Sequence, residues 1–458
     1  MHTPERPLRV AVIGAGPSGF YTVAALFKQS VVPVSVALID RLPTPFGLVR
    51  AGVAPDHQKI KNVVRKYDSL AADPRFMYLG NVTLGVDLEV HELRERFDAI
   101  VYAVGAEADR KLWVPGEDLA GVSSATDFVY WYNAHPDHTQ HGFDLSGVKR
   151  AVVVGNGNVA VDIARVLGCP ADAFRSTDIA DYALEALACS AVEEVVVLGR
   201  RGPAQAAFHP KEVRELAACA VDVVVDPAVL ELDDATRAWL DGGGGDRATR
   251  KTLEVLEEIA HRPLTGARRI VLEFCKSPVA LYGAGGALAQ VEVAHNRLEL
   301  RDGSPRPVDT GVRSRFSTQA LFRAIGYRGV EIPGVPFEPR RGIIRNDGGR
   351  VVDADGAVRA GEYVVGWAKR GPSGVIGTNA ADAVDTVGRL LEDVADLTPG
   401  GSDGDLRELL DARGVRWLDY AGWRRIDSVE LRDGAQQGRV RAKMVDIGAM
   451  IDVARDDP

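Results

Sequence analysis

The sequence predicts an α/β protein that contains two Rossmann-like units. Two segments have the same pattern, in which an apolar run typical of a buried strand leads through a glycine-rich turn into a helix. The first segment is Leu8–Asp40 and the second is Val148–Leu167. The chain has 458 residues, of which 46% are hydrophobic. It is therefore long enough for about three domains and can bury large cores.

The first segment has the parts of a βαβ unit, and each of its three glycines has a structural role. Gly14 permits a tight turn, Gly16 lets backbone approach a pyrophosphate, and Gly19 allows close packing of the helix on the strand. The start of the helix offers free N–H groups and the positive end of its dipole to phosphate oxygens. Asp40 lies about twenty residues further on, where a carboxylate can accept hydrogen bonds from ribose hydroxyls. The predicted elements are a strand at Leu8–Ile13, a helix at Phe20–Gln29 and a strand at Val34–Ile39.

The next segment, Arg41–Pro55, is broken by proline and glycine yet is rich in apolar side chains. Such a loop either covers a flat apolar ligand or is a packed connector, and the sequence leaves both interpretations open. Asp56 can cap a helix whose apolar spacing continues to Ala71. His57 lies at the start of this helix. A single histidine is more often structural than catalytic, so the case for His57 rests on its position beside the apolar loop.

Further strands are predicted before the chain leaves the first unit, at Phe76–Leu79, Asn81–Leu84 and Phe97–Val104. Gly105 and Ala106 follow the last of them. A glycine after such a strand often marks close approach of backbone to a cofactor. We expect the chain to cross between domains near residues 106–112.

The second glycine-rich turn differs from the first at its far end. Gly155 and Gly157 repeat the first two glycines, and Ala160 stands in the third position. The partner strand is followed by Arg200 and Arg201 rather than by an acid. Two guanidinium groups there suit a 2′-phosphate and disfavour NAD, although surface arginines are the alternative interpretation. The predicted elements are a strand at Ala151–Val154, helices at Val161–Leu167 and Asp181–Ala188, and a strand at Glu194–Leu198.

A helix that starts at Pro210 places Glu212 in its first turn, near the second nucleotide. Acids in a first turn are usually only partners of the helix dipole, so sequence alone gives Glu212 little weight. Residues 222–269 mix charge with helix formers, and their later half contains a basic stripe in an acidic chain. This stripe can dock an acidic partner, although a solvated surface is the commoner interpretation for any one residue. The basic stripe consists of Arg247, Arg250, Lys251, Arg262, Arg268 and Arg269.

Strands continue beyond the basic stripe and lead to a third glycine-rich segment. The predicted strands are Val271–Phe274, Val279–Tyr282, Leu288–Ala294, Leu321–Ile325 and Glu362–Gly366. Trp367 follows, then the glycines around Gly374, then a long amphipathic helix at Asn379–Val394. Backbone can approach a ligand there, and the helix dipole adds positive potential. Trp367 either covers a flat ring system or lies in the core. In the tail we expect a short helix at Leu406–Ala412 and strand-like pieces without chemistry.

Charge and cysteine content exclude several classes of protein. The formal net charge of -9 argues against a general nucleic-acid binder. None of the four cysteines belongs to a C-x-x-C pair, so neither a zinc site nor a dithiol centre is indicated. Widely spaced cysteines fit a reducing compartment. No apolar run approaches the length of a membrane span, and the first residues lack a signal-peptide pattern. We therefore expect a cytoplasmic protein and, by default, a monomer.

Two unlike dinucleotide turns on one chain indicate two coenzymes, FAD at the first and NADPH at the second. Such a pair places a nicotinamide against a flavin for hydride transfer, which needs proximity and orientation. Without a cysteine pair, the electrons can pass to a protein carrier, to oxygen or to a small organic substrate. The basic stripe favours an acidic iron–sulfur carrier of the ferredoxin type. The alternatives are a flavin-dependent NADPH oxidase or monooxygenase, and a non-enzymatic NADP-binding sensor.

Six motifs occur in order along nearly the whole chain: Gly14–Gly19, Leu42–Arg50, Gly52–His57, Gly155–Val159, Gly199–Pro203 and Gly366–Gly377. Together they resemble the adrenodoxin-reductase-like ferredoxin–NADP reductases, and most closely the mycobacterial-type members. The resemblance implies a glutathione-reductase-like arrangement of two Rossmann-like dinucleotide-binding domains, the second inserted into the first. The NADP-binding domain would be 109–328, and the FAD-binding domain would combine 1–108 with 329–458. The implied activity is transfer of electrons from NADPH through FAD to a ferredoxin-type protein.

The resemblance also implies which residues form each site. His57 and Glu212 would assist proton movement or nicotinamide placement. Phe46 stands where tyrosine or tryptophan is common in the family, and Asp40 where glutamate is common. The implied FAD contacts are Gly14, Gly16, Pro17, Ser18, Gly19, Asp40, Arg41, Gly47, Leu48, Val82, Trp367, Gly374, Val375 and Ile376. The implied NADP contacts are Gly155, Asn156, Gly157, Asn158, Val159, Arg200, Arg201, Glu212 and Gly374.

Overall fold

Two units, each built on its own sheet of mostly parallel strands, make up the structure, which is a computed structural model. It describes residues 3, 5–219, 221–266, 268–401 and 405–455. Unit 1 consists of Met1–Ala108, Asn133–Asp137 and Tyr327–Pro458. Unit 2 consists of Asp109–Tyr132 and His138–Gly326. The predicted α/β class with two Rossmann-like units is confirmed, because the central sheet of each unit contains a strand–glycine turn–helix motif.

The N-terminal stretch supplies the first elements of unit 1. In chain order they are β1 (Leu8–Ile13), α1 (Pro17–Lys28), β2 (Val34–Asp40), α2 (Leu48–Ala51), α3 (Gln58–Lys61), α4 (Val64–Ala71), β3 (Phe76–Gly80), α5 (Val90–Arg96), β4 (Ala99–Tyr102) and β5 (Ala108–Asp109). Helix α1 begins before the predicted Phe20, because Pro17 suits the first helical position directly after the glycine turn.

Unit 2 is formed by the middle of the chain. Its elements are β6 (Val122–Ser124), α6 (Ala125–Tyr132), β7 (Arg150–Val154), α7 (Asn158–Gly168), α8 (Asp181–Ala188), β8 (Glu194–Leu198), α9 (Pro210–Leu216), β9 (Asp222–Val225), α10 (Asp234–Asp241), α11 (Arg247–Ala260), β10 (Arg269–Glu273), β11 (Lys276–Ala284), β12 (Ala287–Arg301), β13 (Ser304–Ser317) and β14 (Ala320–Arg323). The predicted bounds of the helix Asp181–Ala188 and of the strand Glu194–Leu198 are confirmed.

The C-terminal stretch returns to unit 1. Its elements are β15 (Tyr327–Arg328), β16 (Phe337–Glu338), β17 (Ile343–Ile344), β18 (Asn346–Asp347), β19 (Arg350–Val352), β20 (Val358–Val364), α12 (Trp367–Arg370), α13 (Thr378–Asp393), α14 (Leu406–Ala412), α15 (Tyr420–Gln436) and α16 (Ile447–Arg455). No helix among the described residues is both long enough and apolar enough to cross a membrane.

The main sheet of unit 1 has the strand order β18-β19-β20-β4-β1-β2-β3. Strands β20, β4, β1, β2 and β3 run parallel, so their carboxyl ends meet at one edge. That edge carries the turn after β1, the acid at the end of β2 and the glycine after β20. In open α/β sheets ligands bind outside this edge, where neighbouring strands connect to opposite sides.

The main sheet of unit 2 has the order β6-β14-β7-β8-β10-β9, and all its strands are parallel. Beside it lies an antiparallel meander, β11-β12-β13. The sheet strands β7 and β8 are buried almost throughout, as expected for parallel strands that are covered on both faces. The second glycine turn follows β7, and Arg200 follows β8.

Three sequence predictions are wrong in detail. The expected strand Asn81–Leu84 is absent because Asn81 has φ +60° and the chain turns after β3. The expected helix to Ala71 is divided into α3 and α4, and His57 precedes it as the cap residue. The tail contains α15 and α16 rather than strand-like pieces. These two helices pack through buried apolar residues that recur at helical spacing, Trp423, Ile426, Met450, Ile451 and Ala454.

Candidate dinucleotide-binding sites

The three glycines of the first turn are not equivalent. Gly14 has φ +105°, and a Cβ there would lie 2.6 Å from the carbonyl oxygen of Ala103. A Cβ on Gly19 would lie 2.0 Å from the carbonyl oxygen of Gly14. Folding alone therefore requires both glycines. Gly16 has φ -81°, and its Cβ would meet only the Cα of Gly47, at 3.9 Å. Since neither conformation nor packing explains Gly16, its bare backbone is best explained by close approach of a ligand.

Asp40 lies at the end of β2 with both carboxylate oxygens hydrogen-bonded. Its Oδ2 accepts from the N–H of Ala15 at 2.6 Å, and its Oδ1 accepts from the N–H of Leu42 at 2.9 Å. Burial raises the pKa of Asp40 to about 6, although these hydrogen bonds act in the opposite direction. The side chain lines a cavity of about 190 Å³ together with Gly14 and Val82. Each oxygen has a second lone pair, so the carboxylate can still accept from a ribose hydroxyl.

Arg41 follows Asp40 at the rim of the same cavity. Its guanidinium forms ion pairs with Asp137 at 2.6 Å and with Glu107 at 3.2 Å. Both partners are about half exposed, so Arg41 is held in place while part of its charge is already neutralised. Val82 is buried, and its N–H donates to the backbone oxygen of Asp40 at 2.9 Å. The wall of the cavity is therefore attached directly to β2.

Residues 46–51, which we call the covering loop, lie against the first glycine turn. The N–H of Phe46 donates to the carbonyl oxygen of Ala15 at 2.7 Å. Gly47 has φ +47°, and a Cβ there would lie 3.0 Å from the Cα of Gly16. Leu48 begins helix α2 directly afterwards. The covering loop therefore touches the turn through backbone, and Gly47 is the residue that allows this approach.

The third glycine-rich segment joins the first turn through helices α1 and α13. A Cβ on Gly366 would lie 2.0 Å from the Oγ of Ser18, whose hydroxyl donates to the Oδ1 of Asn379 at 3.2 Å. The N–H of Gly366 donates to Asp382 at 2.5 Å. Sequence analysis missed Asn379 and Asp382, because only the folded chain brings α13 beside α1. Pro17 and Ser18 thereby lie beside the start of a 16-residue helix and its positive dipole end.

Trp367 lies in α12, half-buried, beside the glycines of this segment. Its ring stacks on that of Tyr327 with centroids 5.5 Å apart, and its indole N–H donates to the carbonyl oxygen of Ser373 at 3.1 Å. Gly374 has φ +81°, and Val375 is 50% exposed. Ile376 is half-buried against the core. Residues 374–376 therefore form a turn with an accessible backbone directly before α13.

In the second glycine turn, as in the first, folding requires the first glycine but not the middle one. Gly155 has φ +134°, and a Cβ there would lie 2.2 Å from the carbonyl oxygen of Ala324. Gly157 has φ -100°, and a Cβ there would meet nothing within 4 Å. The backbone carbonyl oxygen of Asn156 accepts hydrogen bonds from two N–H groups in the loop before α9. The Oδ1 of Asn158 accepts from the N–H of His209, at 2.8 Å. Val159, half-buried, follows in the first turn of α7. Open space again lies over the middle glycine.

Three guanidinium groups gather beyond this turn. Arg200 is exposed and Arg201 is half-buried. Burial lowers the pKa of Arg201, and the nearby charges of Arg200 and Arg306 lower it further. Within the described ranges, no salt bridge links any of the three to an acidic side chain. Arg306 lies on β13, a strand that sequence analysis did not predict, so its proximity to Arg201 was missed. Uncompensated like charges of this kind are typical of a site for an anion.

The two residues implied in catalysis lie at helix starts. His57 is the half-buried residue before α3 in unit 1. Glu212 is buried in the first turn of α9 in unit 2, and its N–H donates to the carbonyl oxygen of His209 at 3.0 Å. Asn158 and Glu212 thus both contact His209 backbone, so α9 is attached to the second glycine turn.

Part of the basic stripe is neutralised within unit 2. Lys251 pairs with Glu254 at 2.6 Å, and Arg269 pairs with Glu194. The guanidinium groups of Arg262 and Arg268 donate to backbone oxygens. Arg247 and Arg250 are exposed on α11, and no salt bridge to either is found among the residues that the structure describes. Among the described residues, Lys251 and Arg269 are therefore paired with acids, Arg262 and Arg268 hydrogen-bond to backbone oxygens, and Arg247 and Arg250 have neither kind of side-chain contact.

Comparisons with known proteins agree with this arrangement. Residues 8–221 match the family described as pyridine nucleotide-disulphide oxidoreductase. The chain is 45% identical to the NADPH-ferredoxin reductase FprA of Mycobacterium leprae, over 98% of each chain. It is 38% identical to the mitochondrial NADPH:adrenodoxin oxidoreductase of Arabidopsis thaliana, over 96% of this chain and 94% of that protein. The solved structure of Mycobacterium tuberculosis FprA in complex with NADPH is 43% identical and has a TM-score of 0.91, covering 98% of this chain and 100% of that one. At these identities over nearly the whole length, the chain belongs to the adrenodoxin-reductase-like family of NADPH–ferredoxin reductases.

Proposed function

We propose that this protein is an FAD flavoenzyme that takes hydride from NADPH and passes single electrons to a ferredoxin-type iron–sulfur protein. The observation that carries this proposal is the pair of unlike dinucleotide turns, one followed by Asp40 and the other by three guanidinium groups. The names of the relatives, NADPH-ferredoxin reductase and NADPH:adrenodoxin oxidoreductase, support the same activity. All four cysteines are described and none of them forms a disulfide, so a disulfide route for the electrons is not supported.

The residues of the first site fit FAD. Bare backbone at Gly16 would face the pyrophosphate, Asp40 would accept from the ribose, and the cavity wall at Val82 would border the adenosine. The accessible backbone at 374–376 and the dipole of α13 would stabilise negative charge on the flavin ring. When bound, FAD accepts a hydride from NADPH and returns the two electrons one at a time.

The second site is suited to NADPH rather than NADH. The guanidinium groups of Arg200 and Arg201 would hold the 2′-phosphate by charge-assisted hydrogen bonds, and Arg306 would add a third positive charge. Gly157 and the start of α7 would receive the pyrophosphate, because an open backbone and a helix dipole lie there together.

His57 and Glu212 are the proposed residues for proton movement or nicotinamide placement. Imidazole and carboxylate groups are common proton donors and acceptors in enzymes, and both residues lie at helix starts that follow loops of the coenzyme sites. Substitution of His57 by Gln and of Glu212 by Gln tests this role. If it holds, the pH profile of hydride transfer should change while the dissociation constants of both coenzymes stay within about twofold.

For the carrier we propose docking on the basic stripe, with Arg247 and Arg250 as its main charges. Small iron–sulfur carriers are commonly acidic, and complementary charge speeds encounter. The remaining members, Lys251, Arg262, Arg268 and Arg269, would contribute less, because each already has a hydrogen-bond acceptor or a charged partner. The proposed working form is a monomer. The proposed location is the cytoplasm, where cysteines that form no disulfide are stable.

Anaerobic titration of the purified protein with NADPH tests the whole proposal. The expected result is a flavin absorption band that bleaches on addition of NADPH and recovers when oxidised ferredoxin is added. An oxidase or monooxygenase would consume NADPH with oxygen alone and gain nothing from ferredoxin. A sensor would bind NADPH with no change at flavin wavelengths. A protein that cannot be loaded with FAD would contradict the proposal outright.

A further inference from the structure

The C-terminal helices of unit 1 reach back to the covering loop and form buried contacts with it. Three residues make these contacts, Trp423, Glu430 and Lys443, and two more, Asp427 and Arg441, support Glu430; we call the five the C-terminal clamp. All belong to α15 or to the segment between α15 and α16. Sequence analysis assigned no chemistry to this part of the chain.

The central contact is an ion pair between Arg50 and Glu430. The guanidinium donates to both carboxylate oxygens of Glu430, at 2.8 and 2.5 Å. The Glu430 side chain is 0% exposed and that of Arg50 is 10% exposed. A bidentate pair of this kind fixes both distance and orientation. The covering loop is thereby attached to α15 at a single, defined place.

Other members of the clamp hold Glu430 in this position. The same carboxylate accepts from Arg441 at 2.7 Å and from the N–H of Met444 at 2.8 Å, and Arg441 also pairs with Asp427 at 2.6 Å. Burial acts to raise the pKa of Glu430, but the charges of Arg50 and Arg441 outweigh it and hold the pKa below its ordinary value. Glu430 therefore stays ionised, which the bidentate pair requires.

Three further contacts join the clamp to the covering loop. The Nζ of Lys443 donates to the carbonyl oxygen of Arg50 at 3.0 Å. The ring of Trp423 meets that of Phe46 edge-on at 5.6 Å, and the Arg50 guanidinium lies 5.4 Å from the centroid of Trp423. Phe46 has φ +85°, a strained conformation for a residue with a side chain. Such strain persists only where the surroundings impose it, and Trp423 of the clamp supplies part of those surroundings together with Phe20 and Tyr67.

We infer that the C-terminal clamp retains FAD by holding the covering loop against the first glycine turn. The loop touches the turn through the hydrogen bond from Phe46 to Ala15 and the backbone contact of Gly47 with Gly16. Without the clamp, the strained loop is free to relax away from the turn that receives the pyrophosphate. The clamp residues are positioning residues, since they act through the loop. The inference rests on the proposed function only in assigning FAD to this turn.

The test compares Glu430→Gln with the unsubstituted protein. Glutamine keeps the shape but removes the charge, so the paired guanidinium loses its charge-assisted bonds. We expect the dissociation constant for FAD to rise about tenfold or more, from the typical strength of such bonds. The readout is the recovery of free-flavin fluorescence on dilution of the loaded protein, together with reconstitution of the apoprotein by added FAD. Neither readout depends on enzyme turnover.

Glu362→Gln is the matched control. Glu362 is a buried carboxylate in the same unit, it pairs with Arg94 at 2.6 Å, and it accepts from the hydroxyl of Tyr102 at 2.8 Å. Its loss should lower the melting temperature as the loss of Glu430 does. Its FAD dissociation constant should stay within about twofold of the unsubstituted value. Equal increases for both variants would mean that the clamp is only structural and would overturn the inference.

A milder variant keeps the test decisive if Glu430→Gln does not fold. Lys443→Met removes the bond to the Arg50 carbonyl from a half-buried position. It should raise the FAD dissociation constant by several-fold, and an unchanged value would overturn the inference. If the unsubstituted protein binds no FAD, the proposed function fails instead. If it binds FAD and both clamp variants bind equally well, only this inference fails.

Discussion

Arg201 has two neighbouring guanidinium groups, those of Arg200 and Arg306, and this repulsion needs a compensating anion. The 2′-phosphate of NADPH has the charge and the acceptor oxygens for it. We expect Arg200→Ala with Arg201→Ala to raise the KM for NADPH about 100-fold, since each charge-assisted bond contributes about 1.5–3 kcal/mol. The KM for NADH should change by less than about threefold. Steady-state kinetics with both coenzymes gives the comparison.

Arg175→Ala serves as the control for this double variant, because Arg175 is an exposed arginine of unit 2 that pairs with Asp172. It should leave both KM values unchanged. Equal losses with NADPH and NADH in the double variant would contradict the assignment to the 2′-phosphate. Arg306→Ala should raise only the KM for NADPH, and by less than the double variant does, because Arg306 adds charge from a neighbouring strand.

Asp40 should make FAD affinity depend on pH. In the proposed site the ionised carboxylate would accept from ribose hydroxyls, and burial raises its pKa to about 6 in the free protein. Below this pKa the carboxyl is protonated, so the dissociation constant for FAD should rise about tenfold as pH falls from 7 to 5. Fluorescence titration across this range measures the effect. Asp40→Asn should bind FAD more weakly at pH 7 and show no such pH dependence.

The raised pKa of Asp40 also predicts that the stability of the apoprotein changes with pH in the direction opposite to the change in FAD affinity. A carboxyl whose pKa is raised on folding adds stability below its unfolded value of 3.8, and this contribution is lost as pH rises through about 6. Urea unfolding of the apoprotein at pH 4.5 and pH 7 should therefore show a smaller fall for Asp40→Asn than for the unsubstituted chain. A change of FAD affinity in the same direction as apoprotein stability would contradict this role of Asp40.

At the scale of elements, two glycines of the turn after β7 allow an effect on folding to be distinguished from an effect on ligand binding. Gly155→Ala places a Cβ 2.2 Å from the oxygen of Ala324 at φ +134°, so it should cost about 1–3 kcal/mol of stability or more. Gly157→Ala meets nothing within 4 Å, so the melting temperature should not change. Its methyl group would instead occupy the place of the pyrophosphate and raise the dissociation constant for NADPH about tenfold or more. Thermal melting and calorimetric titration measure the two effects.

A Gly157→Ala variant that binds NADPH normally would mean that the turn has no ligand over it. A variant that loses stability as Gly155→Ala does would mean that the glycine is only structural. The pair is matched, since the same substitution is made two residues apart in one turn.

Elements whose signals are local could be predicted from sequence. The strand β1, the glycine turn and β2 follow one another within residues 8–40, and the residues that define them are neighbours in the chain. The same holds for β7, α7 and β8. The helix α15 was missed, although Asp419 caps it by accepting from the N–H of Gly422. Its polar residues and glycines concealed the apolar spacing of Trp423 and Ile426.

Contacts between distant parts of the chain could not be predicted. Arg50 and Glu430 are 380 residues apart in sequence and meet only after both segments have folded onto the same sheet. Arg306 joins Arg201 because the meander β11-β12-β13 turns back beside β8. Neither Glu430 nor Arg306 belongs to a recognisable motif. The glycines and Asp40 could be proposed from sequence because phosphate and ribose binding impose a fixed local spacing, whereas the supporting contacts follow no such rule.

At the scale of the whole molecule, the net charge of the chain and its local positive charge act on an acidic carrier in opposite directions. The chain has a net charge of -9, so it repels such a carrier at long range, while Arg247 and Arg250 attract it locally. Salt screens both the long-range repulsion and the local attraction, with a Debye length of about 10 Å at 0.1 M ionic strength. If the local term controls docking, the rate of ferredoxin reduction should fall as ionic strength rises from 0.02 to about 0.3 M.

Arg247→Gln with Arg250→Gln should reverse this dependence, because the variant keeps the long-range repulsion and loses the local attraction. Its rate should be about tenfold lower at low salt and should rise with ionic strength as the repulsion is screened. Arg175→Gln with Arg297→Gln removes the same charge from exposed positions elsewhere in unit 2 and should keep the original slope. Stopped-flow reduction of ferredoxin measures these rates, and a neutral quinone acceptor should give a flat salt profile for every variant. Identical slopes for the two double variants would place docking on another surface, since net charge alone would then account for the salt dependence.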